Sequence, residues 1–244
     1  MITAHIATFP PRAPIIRKAV HSIINQVDKV FIYFNEYSQD TVPSWVKDND
    51  KIVWECSESS GYGDLGDVGK FYFCSDEMRE RYGITGTIFT CDDDLIFPYW
   101  YVRRSMAYLN GDFSNSILSY HGSVLDPNCS DYHTKRASTH HVRFNVPHVN
   151  RIHTPGTGCA IFRLDTFSPS LSMFDHTNMS DIFVGRWANN NNVKVFVLPH
   201  KTGDFKYLNA KSTIWDATKG MDGTTRDRRS QTIEVIESTD WTRF

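Results

Sequence analysis

Two apolar strand-like runs enclose one amphipathic helix within the first 35 residues, and this restricts the fold more than any other feature of the chain. Ile2-Thr3-Ala4-His5-Ile6-Ala7-Thr8 reads as a strand, and Phe9-Pro10-Pro11-Arg12-Ala13-Pro14 as a stiff loop. Ile15, Ile16, Ala19, Val20, Ile23 and Ile24 then recur at helical spacing, predicting a helix from about residue 14 to Gln26. Val30-Phe31-Ile32-Tyr33-Phe34-Asn35 is apolar nearly throughout, as a strand covered on both faces requires. A third strand is expected at Lys51 to Glu55, a polar glycine-rich loop at Ser57 to Gly69, a helix over about Lys70 to Arg81, and a fourth strand at Ile88 to Cys91. Strands alternating with helices imply an α/β fold with a mostly parallel central sheet, whose ligands lie beyond the carboxyl ends of the strands. The loops after Thr8, Asn35, Glu55 and Cys91 should therefore share one rim.

The second half is less regular. Pro98 to Leu109 has helical spacing, and Ile117 to Leu125 reads as a strand. Residues 126–153 lack periodicity and hold five of the ten histidines, His133, His140, His141, His148 and His153, without a metal-ligand spacing; a flexible loop is the expectation. Pro155-Gly156-Thr157-Gly158 forms a turn before a short strand, Cys159 to Phe162. A helix is expected with Asn178 as N-cap and Asp181 three residues later, ending in Asn189-Asn190-Asn191-Asn192. Val193 to Leu198 is the last strand, and Thr232 to Glu237 suggests a short helix in a polar tail. The expected organisation is one domain, with residues 1–98 and 99–199 as its halves and 200–244 as a flank or lid.

Composition narrows the function classes. A formal charge of -2 and a pI near 6.5 speak against a nucleic-acid binder with a strongly basic face and leave room for a local pocket for a small anion. Cys56, Cys74, Cys91, Cys129 and Cys159 are odd in number and scattered without a C-x-x-C pair, which suggests neither a disulfide framework nor a zinc ribbon and fits reducing cytoplasm. The first residues are strand-like rather than a leader, and no run approaches the roughly 18 apolar residues of a membrane span, so any membrane association is expected to be peripheral. Aromatics make up 14% of the chain, enough for some to stack on the apolar faces of sugar rings.

The strongest chemical signal is Asp92-Asp93-Asp94, placed where the fourth strand ends. Carboxylates this close raise one another's pKa unless cations or hydrogen-bond donors compensate. Oxygen-only ligands suit Mg²⁺ or Mn²⁺ that is also bound by substrate phosphates. Strand alternation would let Asp92 and Asp94 share a ligand while Asp93 faces the scaffold. The competing reading is an acidic turn at a strand end.

Taken in order, these elements resemble the GT-A nucleotide-sugar transferases, in particular family 2-like enzymes that build bacterial or viral surface polysaccharides. Thr8-Phe9-Pro10-Pro11-Arg12 and a helix ending Ser22-Ile23-Ile24-Asn25-Gln26 are similar to that family's first strand, loop and helix end. Gly66-Asp67-Val68-Gly69-Lys70-Phe71 resembles its nucleotide loop, and Thr90 to Pro98 its D-x-D segment. Gly156-Thr157-Gly158-Cys159 resembles its acceptor-side glycine turn, and Ser180-Asp181-Ile182-Phe183 the helix start that carries its base. The resemblance implies a Rossmann-like GT-A domain that moves a sugar from a nucleoside diphosphate donor, UDP by expectation, to a glycan acceptor with Mn²⁺ or Mg²⁺. It implies Asp94 as first metal ligand, Asp92 at the ribose or the metal, and Thr8, Arg12, Lys70 and Asp93 at the nucleotide or its phosphates. Asp67 and Asn35 become base-edge contacts, and Asp181 the base of an inverting transfer.

His200-Lys201-Thr202-Gly203-Asp204-Phe205-Lys206 is similar to a segment of retaining family 8 transferases, which would make His200 a metal ligand and Lys206 a phosphate contact. A nucleotidyltransferase is the second enzyme reading. Its G-x-G-T-R signature belongs after the first strand, whereas Gly223-Thr224-Thr225-Arg226 lies near the other end. An aspartyl-phosphate phosphatase would place its acids after the first strand. The non-enzyme alternative is a carbohydrate-binding module with aromatic faces and a structural metal.

Overall fold

A computed structural model describes residues 1–126, 129–130, 132, 136–208 and 232–242. Among the described residues thirteen strands run in chain order: β1 (Ile2–Thr8), β2 (Lys29–Phe34), β3 (Ile52–Cys56), β4 (Thr87–Cys91), β5 (Leu95–Ile96), β6 (Ser116–Ser119), β7 (Gly122–Leu125), β8 (Arg136–His140), β9 (Asn150–Ile152), β10 (Thr154–Pro155), β11 (Ile161–Arg163), β12 (Lys194–Val197) and β13 (Lys206–Tyr207). Eight of them form a central sheet in the order β3-β2-β1-β4-β11-β6-β12-β9. It is a mostly parallel, Rossmann-like α/β sheet flanked by helices, with β11 and β9 antiparallel to their neighbours.

The expected βαβ unit is present because its residues sort cleanly between two layers. Along β2, Val30, Ile32 and Phe34 join Ile16, Val20 and Ile23 of the helix Ala13–Ile23 on one face. Phe31 and Tyr33 join Phe71, Phe73 and Ile88 on the other. With both faces covered, every position of the strand interior gains by being apolar. Parallel register aligns Thr8 with Phe34, Phe34 with Cys56 and Ile6 with Cys91, so the loops after β1 to β4 do meet along one edge.

Four expectations change, the first being the flexible loop over 126–153, which contains β8 and β9, held by pairing with β7 and β12 that residue order does not announce. The helix expected over 70–81 is a 3-10 stretch, Gly66–Cys74, followed by an α-helix, Asp76–Tyr82, with extended Ser75 between them. Val68 to Cys74 are all buried. A segment enclosed on every side has no amphipathic stripe to report, and the acidic pair Asp76-Glu77 after Ser75 marks the true α-helical start. The strand expected over 117–125 divides at Tyr120-His121: β6 stays in the central sheet, while β7 enters a smaller sheet ordered β10-β7-β8. The helix Ser180–Asn190 is not capped by Asn178, which has a left-handed φ of 62° one residue before the N-cap position.

A third apolar cluster joins Leu125, Tyr132, Ile182 and Phe183 to Val235, Ile236 and Trp241, which fixes the helix at 232–237 against the smaller sheet's side of the molecule. His133, Gly223 to Arg226 and most of the expected 200–244 flank lie outside the described residues. Among the described residues no helix is long and apolar enough to cross a membrane, and all five cysteines are free thiols.

Candidate active site

The three aspartates occupy a turn between β4 and β5, not a strand, and their side chains diverge. Asp93 accepts a 2.7 Å hydrogen bond from Thr8 Oγ1, and burial pushes its pKa up to about 7. Asp94 pairs with the buried Arg12 guanidinium at 2.7 Å; burial and then Asp92 raise its pKa, against the pull of Arg12. Asp92 accepts from Lys70 Nζ at 2.5 Å. Strand alternation is thus replaced by three separate partners, one from the last residue of β1, one from the loop after it and one from the 3-10 stretch.

The turn is also clamped from behind. Ser22 Oγ accepts the Phe97 amide at 3.0 Å, while Gln26 donates to the Pro98 carbonyl at 3.0 Å and accepts the Val102 amide at 3.2 Å. These contacts give the Ser22 and Gln26 side chains a physical task at the end of their helix: they satisfy main-chain groups of the segment that follows the acids.

Lys70 lies buried among carboxylates. Burial works against its ammonium form, but Asp92 and Asp67 outweigh that and hold its pKa above the usual value. Asp67 caps the helix Ser180–Asn190 from across the site, accepting from the Ser180 amide at 3.0 Å and from the Ser180 hydroxyl. The positive end of that helix suits a carboxylate. Burial nonetheless raises the pKa of Asp67, and its Oδ1 is buried without a hydrogen-bond partner.

Asp181, in the first turn of the same helix, accepts from both the amide and the hydroxyl of Thr157, each at 2.7 Å, through Oδ1. Burial raises its pKa; the Thr157 hydrogen bonds and Lys70 oppose this. The Gly156-Thr157-Gly158 turn therefore sets the orientation of Asp181. It also admits Asp92: the Asp92 amide donates to the Gly158 carbonyl at 2.9 Å, and a Cβ at Gly158 would lie 2.0 Å from Asp92 Oδ2. At Gly156, a Cβ would lie 2.5 Å from the His121 ring.

One cavity of about 290 Å³ gathers these groups, lined by Asp67, Lys70, Asp92, Asp181 and the 156–158 turn. This volume is at the small end for ligand sites, which run to roughly 300–1,000 Å³. The structure therefore brings together Asp67, Lys70, Asp92, Gly156, Thr157, Gly158 and Asp181.

It does not bring the remaining candidates to the cavity lining. Asn35 is taken up by the turn beside it, accepting the Leu65 amide at 2.8 Å and donating to the Gly66 carbonyl at 2.9 Å, so it shapes the loop instead of offering a base edge. Thr8 with Asp93 and Arg12 with Asp94 form two buried pairs outside the cavity lining. His200 directs its two ring nitrogens at the carbonyls of Leu198 and His141, 2.9 and 3.4 Å away, amid Tyr120 and Phe205. That geometry does not suit a metal ligand. Lys206 is exposed on β13, although the next residue, Tyr207, reaches the cavity.

Among the described residues no set of three or more His, Cys, Asp or Glu side chains forms a metal-holding group. A Mg²⁺-like ion that keeps waters and takes substrate phosphate oxygens needs only one or two carboxylates. Asp92 is the member of the triplet placed to supply one.

Sequence reasoning missed His121, Tyr132, Arg136 and Tyr207, all of which line the cavity. His121 follows the carboxyl end of β6, where the rim rule would have found it. Tyr207 arrives only through β13, whose pairing with β5 and the 2.7 Å bond from the Leu208 amide to the Asp94 carbonyl are long-range contacts.

No protein-family model and no curated protein sequence matches the chain. Among solved structures, the crystal structure of A197 from STIV is similar to it at 10% identity and a TM-score of 0.42, over 84% of this chain and 83% of that one.

Proposed function

We propose that the chain is a glycosyltransferase moving a sugar from a nucleoside diphosphate donor, UDP by preference, to a hydroxyl of a glycan acceptor with inversion. The observation that carries this reading is the meeting, in one cavity, of the Lys70–Asp92 pair with a Thr157-oriented carboxylate, Asp181. Departure of a nucleoside diphosphate builds negative charge on phosphate, and buried Lys70 offers a fixed positive charge beside that position. The unpartnered Oδ1 of Asp67 suits an N–H or O–H donor of the base or ribose.

Asp181 has one carboxylate oxygen engaged by Thr157, and its raised pKa strengthens it as a base toward the acceptor hydroxyl. Mn²⁺ or Mg²⁺, when bound, would supply Lewis-acid stabilisation of the leaving phosphate. Asp92 would hold it at the cavity, with Asp94 and Arg12 fixing the turn behind. Residues 1–98 then furnish the donor side and the segment from 99 onward the acceptor side.

Calorimetric titration with UDP and GDP, with and without Mn²⁺, tests the reading. Metal-strengthened binding of one nucleotide, lost in Asp92→Asn, is the expected result. Binding of simple sugars without any nucleotide binding would point to a carbohydrate-binding module instead.

A further inference from the structure

One arginine in the cavity lining and a second at its edge, stacked on a lining tyrosine, are left unused by the proposed chemistry. Arg136, on β8, lines the cavity, donates to Ser123 Oγ at 3.2 Å and lies 5.1 Å from the centre of the Tyr132 ring. Arg143, just beyond β8, lies 4.2 Å from the centre of the Tyr207 ring. Both tyrosines line the cavity. Neither arginine forms an ion pair with any described residue. A guanidinium held over an aromatic face keeps N–H groups at its edge for a planar oxyanion.

The groups between the arginines do not neutralise them. His121 and His141 pack with ring centres 4.7 Å apart. Burial lowers the pKa of each to about 4, with further lowering by Arg136 at both and by Arg143 at His141. These rings are neutral near pH 7, so the positive charge of this wall belongs to the arginines. The wall also adjoins the base: β8 shares its small sheet with β10, which runs directly into the Gly156-Thr157 turn that holds Asp181.

We propose that the acceptor is anionic, and that Arg136 and Arg143 grip a phosphate or carboxylate on it while its hydroxyl faces Asp181. This rests on the transferase reading and adds the acceptor's chemical class to it. The donor diphosphate is served by Lys70 on the other half of the chain, whereas Arg136 belongs to the small sheet that leads into the base's turn, and Arg143 follows that sheet's last residue in β8 by three positions.

The test uses the full chain saturated with UDP and Mn²⁺, titrated with glucose 6-phosphate, glucuronate and glucose. At least one acid should bind about tenfold or more tightly than glucose, as charge-assisted hydrogen bonds imply. Which acid wins separates a phosphate from a carboxylate partner. R136Q and R143Q should each bring the acid close to the affinity of glucose while leaving UDP affinity unchanged. R136K, which keeps the charge without the fork, replaces R136Q if that variant melts early, and Arg143 is exposed, so R143Q tests the same point without disturbing the core.

Equal affinity for glucose and both acids overturns the proposal, as does an acid preference that survives both substitutions. A parallel loss of UDP affinity would assign the arginines to the donor and overturn it too. Failure of the wild-type chain to bind UDP is a separate outcome, which defeats the transferase reading itself.

Discussion

Replacing Gly158 by alanine gives a direct test of how closely the acceptor turn and the acidic turn must fit. The new Cβ would stand 2.0 Å from Asp92 Oδ2 and 2.4 Å from its Cγ, whereas real Cβ contacts essentially never fall below 3.0 Å. The difference, 3.0 less 2.0, requires the carboxylate to retreat by at least 1.0 Å. Gly158 has no left-handed φ, so alanine is acceptable to the backbone and the effect is confined to this contact.

Asp92 is partly exposed and can swing away, with its Lys70 hydrogen bond lost or lengthened. An off-rotamer side chain costs roughly 0.5–1.5 kcal/mol, a melting shift of about 1–6 °C for a chain of this size. Catalysis should suffer more, because a misplacement of about 1 Å can cost on the order of 10²-fold in rate, or about 2.7 kcal/mol of barrier. The assay is kcat/KM for release of UDP from a UDP-sugar donor, alongside thermal melting.

Gly61→Ala is the control. Gly61 has φ 75° with nothing within 4 Å of its added Cβ, so it should lose roughly 1–2 kcal/mol of stability and little activity. Gly158→Ala with turnover within twofold of wild type would show that Asp92 need not stand where the structure puts it.

Asp181→Asn should leave UDP affinity intact and lower turnover by roughly 10²–10⁴-fold, the usual contribution of a positioned base; single-turnover kinetics with a binding control measures both. Because the working form of Asp181 is ionised and its pKa is raised, kcat should climb with pH through that pKa and level off above it, and the climb should vanish in Asp181→Asn. Arg12→Met leaves the Asp94 carboxylate buried without its cation and should cost about 3–5 kcal/mol in denaturant unfolding; an unchanged midpoint would remove the pair from the account of the fold. His5 is fully buried beside Phe31 and Phe73, with its pKa lowered by burial to about 3. The unfolded chain takes up that proton below about pH 6.5 while the native chain does not, so stability falls as pH drops from 6.5 towards 3. In His5→Leu the fall across that window should be shallower.

Much of this molecule can be read along the chain, for identifiable reasons. Strand β2 and the first helix announce themselves because burial on two faces and on one stripe leaves different, local imprints in residue order. Asp92 was legible as a candidate because strand ends in a parallel sheet share an edge, whereas Lys70, Asp181 and the 156–158 turn entered through the resemblance of their segments to a known family. The 3-10 stretch at Gly66–Cys74 was not legible as such, since complete enclosure erases the periodicity that separates helix types. Division of the 116–125 run between two sheets depends on partners far away in sequence, as does the arrival of Tyr207 beside Asp94.

Residue order by itself determined the alternating framework and the location of three adjacent acids at its rim, because each depends on side-chain type and short spacing. Tertiary structure alone decided what each acid does: Thr8 takes Asp93, Arg12 takes Asp94, and Lys70 takes Asp92 at the cavity. It also turned Asn35 and His200 inward to main-chain groups and set Arg136 among neutral rings. The physical reason is that a polar side chain is assigned by the strongest partner within a few ångströms, and in a folded chain that partner stands tens of residues away.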